Sequence, residues 1–149
     1  MNQKNKEELA VVSGIALIII SNIIGNSSPP FSILATPWVL TIVIAIINFP
    51  LYKTSFSKTV IYNYGLILFN DILVRCFAGG VDDAEGKAWI SVMFILSFLI
   101  CTIVMFVYAS LKSTKSNENV AMRKHMKTVA LAVIVTAVLF VLFNVYLFS

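Results

Sequence analysis

Apolar residues in this chain gather into five continuous runs, at 9–25, 31–51, 59–78, 88–111 and 128–148, set apart by short polar segments. A transmembrane helix needs about 20 predominantly apolar residues. The last four runs reach that length unaided, whereas the first, Leu9 to Ile24, spans only with Gly25 included. Strands of a membrane barrel read as roughly 10-residue segments of alternating polarity, and these runs are continuous and about twice as long, so they predict helices. The breaks fit: GNSSPP at 25–30 closes the first run, because proline cannot continue a helix and biases its predecessor away from helical geometry. Polar segments at 52–58, 79–87 and 112–127 separate the rest. No internal repeat is visible. The expected fold class is therefore all-α, an integral membrane helical bundle forming a single domain over 1–149. It has five transmembrane helices, or four if the first run does not cross.

Composition strengthens this reading. Of 149 residues 59% are hydrophobic and 12% charged, with a mean hydropathy of +0.92. A soluble domain carries about 25% charged residues. The N-terminal run resembles a signal peptide only superficially, since no A-x-A-like site follows it, and it is read as a retained helix.

A net charge of +4 would suggest nucleic acid in a soluble protein. Here the basic residues sit in the linkers, so they report topology and membrane lipid as the partner, with no nucleic acid expected. With the N-terminus cytoplasmic, five alternating spans place nine basic residues inside: Lys4, Lys6, Lys53, Lys58, Lys112, Lys115, Arg123, Lys124 and Lys127. Two, Arg75 and Lys87, fall on the opposite side. A first run that stayed out of the membrane would turn nine against two into seven against four, so the positive-inside bias supports that run as a span. The expected location is the cell membrane, multi-pass, with the C-terminus extracytoplasmic. Arg123, Lys124 and Lys127 would meet lipid headgroups, each worth about 1 kcal/mol against anionic lipid. His125, among them, is expected to be solvated, with a cytoplasmic pH sensor as the alternative.

Candidate chemistry concentrates in and after the third run. Asp71 lies inside it and Arg75 follows at i+4, so the two can pair on one helix face. Tyr64, Leu68, Asp71 and Arg75 form a stripe flanked by Asn63 and Asn70. Charges within a span cost roughly 2.5–3.5 kcal/mol each and usually face protein or a water-filled cavity. Two readings follow: a pair locking the third helix to its neighbours, or an outward-opening polar site for an ion or small solute at Asn70, Asp71 and Arg75. Beyond the helix, Asp82, Asp83 and Glu85 supply oxygen ligands of the kind a divalent cation takes, but not at EF-hand spacing; a solvated acidic loop is the reading preferred for them, with a divalent cation as the alternative. No other cofactor is implied.

Small residues at i+4 spacing, Ser21 and Gly25, Thr41 and Ala45, and Thr128, Ala132 and Thr136, predict close helix contacts. Asn22, Asn48 and Asn144 predict interhelical hydrogen bonds. Cys76 and Cys101 fall in different spans at different depths, which argues against a disulfide. A lone histidine on the side opposite the acidic loop leaves no Ser–His or Cys–His arrangement, and no Walker A, GxSxG or HExxH motif occurs. No catalytic residue is assigned; Asp71 with Asp82 or Asp83 is the one acid–base pairing the sequence offers. Three functions remain open. The first is a non-enzymatic membrane protein whose outer polar site binds an ion, a small solute or a partner subunit, as a homo-oligomer or with other membrane subunits. The second is a metal-dependent intramembrane enzyme acting on a lipid or isoprenoid. The third is an accessory or assembly subunit in which the Asp71–Arg75 pair is structural.

Overall fold

The computed structural model describes the backbone of residues 2–51, 55–77, 84–114 and 119–146, and the side chains of 2–28, 34–48, 55–77, 84–112 and 120–145. Every element in it is helical: α1 Gln3–Ser27, α2 Pro29–Leu51, α3 Phe56–Phe77, α4 Ala84–Thr114 and α5 Asn119–Tyr146. The fold class is all-α, with α1, α3, α4 and α5 each long and apolar enough to cross a membrane. In α2 the described apolar stretch is Leu34–Asn48 within a helical backbone of 23 residues. The first run, the shortest in apolar length, is thus one of the four. It gains its length from polar residues, because the helix begins at Gln3, well before the hydrocarbon-compatible part. The architecture is consistent with a multi-pass membrane protein.

The break between α1 and α2 is a single residue. Ser28 leaves helical geometry and its N–H bonds to the carbonyl of Gly25 at 3.2 Å. Pro29 then opens α2, where its missing N–H is one that no helical carbonyl would have received. The prolines therefore start the second helix as well as ending the first. Within α2, the Thr41 hydroxyl donates to the carbonyl of Pro37 at 2.7 Å, one turn back along the helix.

Side-chain contacts fix the topology. Arg75 near the end of α3 meets Ser91 near the start of α4 and Phe140 near the end of α5. At the opposite pole Phe56, which opens α3, meets Tyr108 late in α4 and His125 early in α5. Asn22 of α1 meets Asn70 of α3, and Asn48 of α2 meets Asn63 of α3. Helices α1, α3 and α5 run one way, α2 and α4 the other. Among the described residues, α3 alone packs against all four other helices, with α1 and α2 paired on one flank and α4 and α5 on the other.

One hydrophobic cluster draws on all five helices, including Ile18, Leu40, Ile47, Ile67, Met105 and Val129. The outward faces are equally apolar: Trp38 is 74% exposed, Leu34 69% and Leu131 64%. In water such a surface would be untenable; against lipid tails it carries no penalty.

Gly14 sets the closest approach. A Cβ there would lie 3.1 Å from Val43 Cγ1 and 3.4 Å from Ile47 Cδ1, so the bare backbone lets α1 settle onto α2. It belongs to a buried ridge of Ala10, Gly14, Ile18, Ser21 and Gly25, of which the small-residue pattern identified the last two. Ala132 and Thr136 also turn inward. Thr41 and Ala45 do not: both are exposed, because α2 buries the face carrying Leu40, Val43, Ile44 and Ile47. Thr41 satisfies its hydroxyl on its own helix and needs no neighbour.

Candidate functional site: a buried polar layer around Asp71 and Arg75

Helix α3 is the least apolar of the four long spans, yet it occupies the centre. The physical reason is that polar side chains in a bilayer must find partners inside the protein. A helix that touches four others can find those partners on several of them, while one face, with Ile61 and Tyr62, stays exposed. Thr59, Asn63, Tyr64, Asn70 and Asp71 are all buried, at 4% exposure or less.

Two polar layers result. In the first, toward the start of α3, Asn48 and Asn63 exchange amide hydrogen bonds at 3.2 and 3.3 Å. Asn63 also donates to the carbonyl of Thr59 at 2.8 Å, and the Tyr64 hydroxyl pairs with Thr102 at 3.0 Å. These bonds tie α2, α3 and α4 together.

The second layer contains the residues singled out in the sequence. Arg75 Nε donates to Asp71 Oδ2 at 3.0 Å, and the two side chains are 3% and 2% exposed. The i+4 spacing thus forms the expected pair, fully enclosed. Arg75 Nη2 donates onward to Ser91 Oγ at 3.1 Å, and the guanidinium lies 5.6 Å from the Phe140 ring centroid. Phe140 stacks on Phe94 with centroids 4.0 Å apart. On the other flank, Asn22 Nδ2 donates to Asn70 Oδ1 at 3.2 Å and to its own helix at the Ile18 carbonyl. Counting at 1.5 Å per residue, Asn22, Thr36, Asp71, Ser91 and Phe140 all lie about 8–11 Å from the same end of the bundle. Every helix contributes to this layer.

Two atoms in it stand out: among the described residues, Asn22 Oδ1 and Asp71 Oδ1 are buried without a hydrogen-bond partner. Beside Asp71 is a cavity of about 10 Å³, bordered by Thr36, Asn70 and Asp71 and by apolar groups including Leu40, Val74 and Phe94. Among the described residues, no wide vestibule opens onto Asp71 and Arg75, whose side chains are 2% and 3% exposed. Packing of α2 and α4 against α3 closes over the pair and leaves room for about one water molecule.

The remaining candidates lie apart from this layer. Asp82 and Asp83 fall outside the described residues. Glu85 is exposed in the first turn of α4, where a carboxylate complements the positive end of the helix dipole without any metal. Among the described residues no three His, Cys, Asp or Glu side chains are grouped to hold a metal ion. Arg123, Lys124 and Lys127 are exposed at the start of α5 and, with Val120, Thr128 and Leu131, border an open groove of about 480 Å³. His125 is partly exposed, with its ring resting on Phe56 at a centroid distance of 4.5 Å, because Phe56 caps the core where α3 begins. Cys76 is exposed and Cys101 buried, and both are free thiols. Asn22 and Asn48 bond between helices as expected, whereas Asn144 turns back to the carbonyl of Phe140 at 2.8 Å.

Gly14, Ser91 and Phe140 lie outside the residues that the sequence pattern points to. The Ala10-xxx-Gly14 spacing was available as a signal, but nothing local marks Ser91 or Phe140, whose roles exist only opposite Arg75. Set against known proteins, the chain matches no family model, no curated protein sequence and no solved structure.

Proposed function

We propose that this chain is a non-enzymatic, multi-pass subunit of the cell membrane. It crosses five times with the N-terminus cytoplasmic, and works as a homo-oligomer or beside other membrane subunits. The observation that carries this reading is the enclosure of Asp71 and Arg75, with side chains 2–3% exposed and a cavity of about 10 Å³ bordering Asp71. A substrate-handling carboxylate needs access to its substrate; this one meets an arginine of its own helix, which in turn fastens α4 and α5. The pair therefore acts as a lock on the bundle, and the surface offered to partners is the apolar exterior.

The orientation rests on charge. With Arg75 withdrawn into the core, Lys87 is the lone basic residue left in the segments assigned to the outer side, against nine on the cytoplasmic side. Arg123, Lys124 and Lys127 then face the cytoplasmic headgroups.

The decisive experiment compares Asp71→Asn, Arg75→Gln and the double variant by yield of folded protein in detergent and by complex size. Each single change strands a buried charge or its partner; the double change strands neither. Recovery of folded, correctly assembled protein in the double variant supports the lock. Recovery of folding with loss of cellular function would instead favour the second reading, a site for an ion at Asp71. That reading is kept because Asp71 Oδ1 has no partner.

A further inference from the structure

Asp71 uses one of its two carboxylate oxygens. Oδ2 accepts from Arg75 Nε at 3.0 Å, whereas Oδ1 is buried and meets no donor. A buried charged acceptor left unmatched carries its full desolvation penalty. The cavity of about 10 Å³ adjoins this residue, and its other polar walls are Asn70 of α3 and Thr36 of α2.

Three occupants would satisfy Oδ1: a proton, a cation or a neutral donor. A proton on Asp71 would neutralise the carboxylate that Arg75 Nε meets at 3.0 Å, weakening a charge pair whose side chains are 2–3% exposed. A metal cation would add a second positive charge beside Arg75 at a site with, among the described residues, one carboxylate, and repulsion at that distance is strong in a low-dielectric interior. A water molecule adds no charge, donates to Oδ1 and can use the amide and hydroxyl of Asn70 and Thr36. The volume agrees, since one water needs roughly 10–15 Å³ of such space and two to four polar partners.

We infer that the cavity between Thr36, Asn70 and Asp71 is a binding site for a single structural water that donates to Asp71 Oδ1. This goes beyond the proposed function and stands whether or not the chain is an assembly subunit. The water would bring α2 into the layer through Thr36, as Asn22 brings α1, Ser91 brings α4 and Phe140 brings α5. It would also keep Asp71 ionised and so keep Arg75 bound.

Three measurements on the full chain in lipid nanodiscs test this. A high-resolution structure should show one peak within hydrogen-bonding distance, about 2.6–3.2 Å, of Asp71 Oδ1. Replacing sodium with choline in the buffer should leave the Tm unchanged. Infrared spectra with ¹³C-labelled aspartate should show no protonated-carboxyl band at neutral pH. An empty cavity overturns the proposal. So does a peak at the shorter distances of metal coordination together with a sodium-dependent Tm, which identifies a cation, or a protonated-carboxyl band, which identifies a proton in the water's place.

Discussion

At Asp71 one carboxylate oxygen accepts from Arg75, while the other is buried and, among the described residues, meets no donor, in a residue that borders the cavity lined by Thr36 and Asn70. Removing one partner of a buried ion pair costs about 3–5 kcal/mol, because the remaining charge stays buried and unmatched. Arg75→Gln should therefore lower the thermal midpoint more than any single change on the exposed face of α3, such as Ile61→Ala, measured by thermal unfolding in detergent. Gly14 makes a separate residue-scale prediction. Gly14→Ala places a Cβ at 3.1 Å from Val43 Cγ1, which a small shift of Val43 absorbs. Gly14→Leu overpacks the α1–α2 contact by about 1–3 kcal/mol. A thermal melt in which the alanine and leucine variants were equally stable would contradict the close approach. The Asp71–Arg75 pair was legible in the sequence because i+4 spacing is a local property of a helix. The partners Ser91 and Phe140 were not, because they come from helices whose register against α3 no local pattern encodes.

Among the elements, α2 shows how little composition alone determines. Its residues are apolar all round, so hydropathy cannot say which face is buried; the structure buries Leu40, Val43, Ile44 and Ile47 and turns Trp38 and Leu34 outward. Ile47→Ala should cost about 2–5 kcal/mol, the usual range for emptying a packed core site. Trp38→Ala should stay within about 0.5 kcal/mol, as surface changes do. Chemical unfolding of the two variants in mixed micelles checks the contrast, and reversed magnitudes would mean the helix is rotated. The same ambiguity explains why small-residue spacing points to a contact face at Thr41 and Ala45 that the structure leaves exposed. Small-residue spacing marks where a backbone can come close, and only a neighbour's position decides whether it does.

On the scale of the whole molecule, the charge asymmetry is a property of topology. A C-terminal reporter that is active only outside the cytoplasm should signal from this chain; a cytoplasmic signal would remove one span from the five. If Arg123, Lys124 and Lys127 meet headgroups at about 1 kcal/mol each, replacing all three with Gln should weaken anionic-lipid retention by roughly 100-fold. Native mass spectrometry of the nanodisc-released protein against zwitterionic lipid measures that ratio. Unchanged retention would detach these residues from the lipid surface.

By itself the sequence determined the all-α class, the number of helices and their approximate limits, since run length and proline placement are one-dimensional quantities read against the thickness of a bilayer. It also singled out Asp71 and Arg75 as a pair and Asn22, Asn48 and Asn144 as groups seeking hydrogen bonds, since a polar atom in hydrocarbon must be satisfied wherever it lies; Asn144 meets that need on its own helix. Only the tertiary structure decided that α3 is central, that the Asp71–Arg75 pair is enclosed, and which helices complete the layer around it. Those depend on how five nearly uniform apolar cylinders rotate and pair. That choice is made by close contacts such as Gly14 against Val43 and by interhelical hydrogen bonds such as Arg75 to Ser91, neither of which is a property of any one segment.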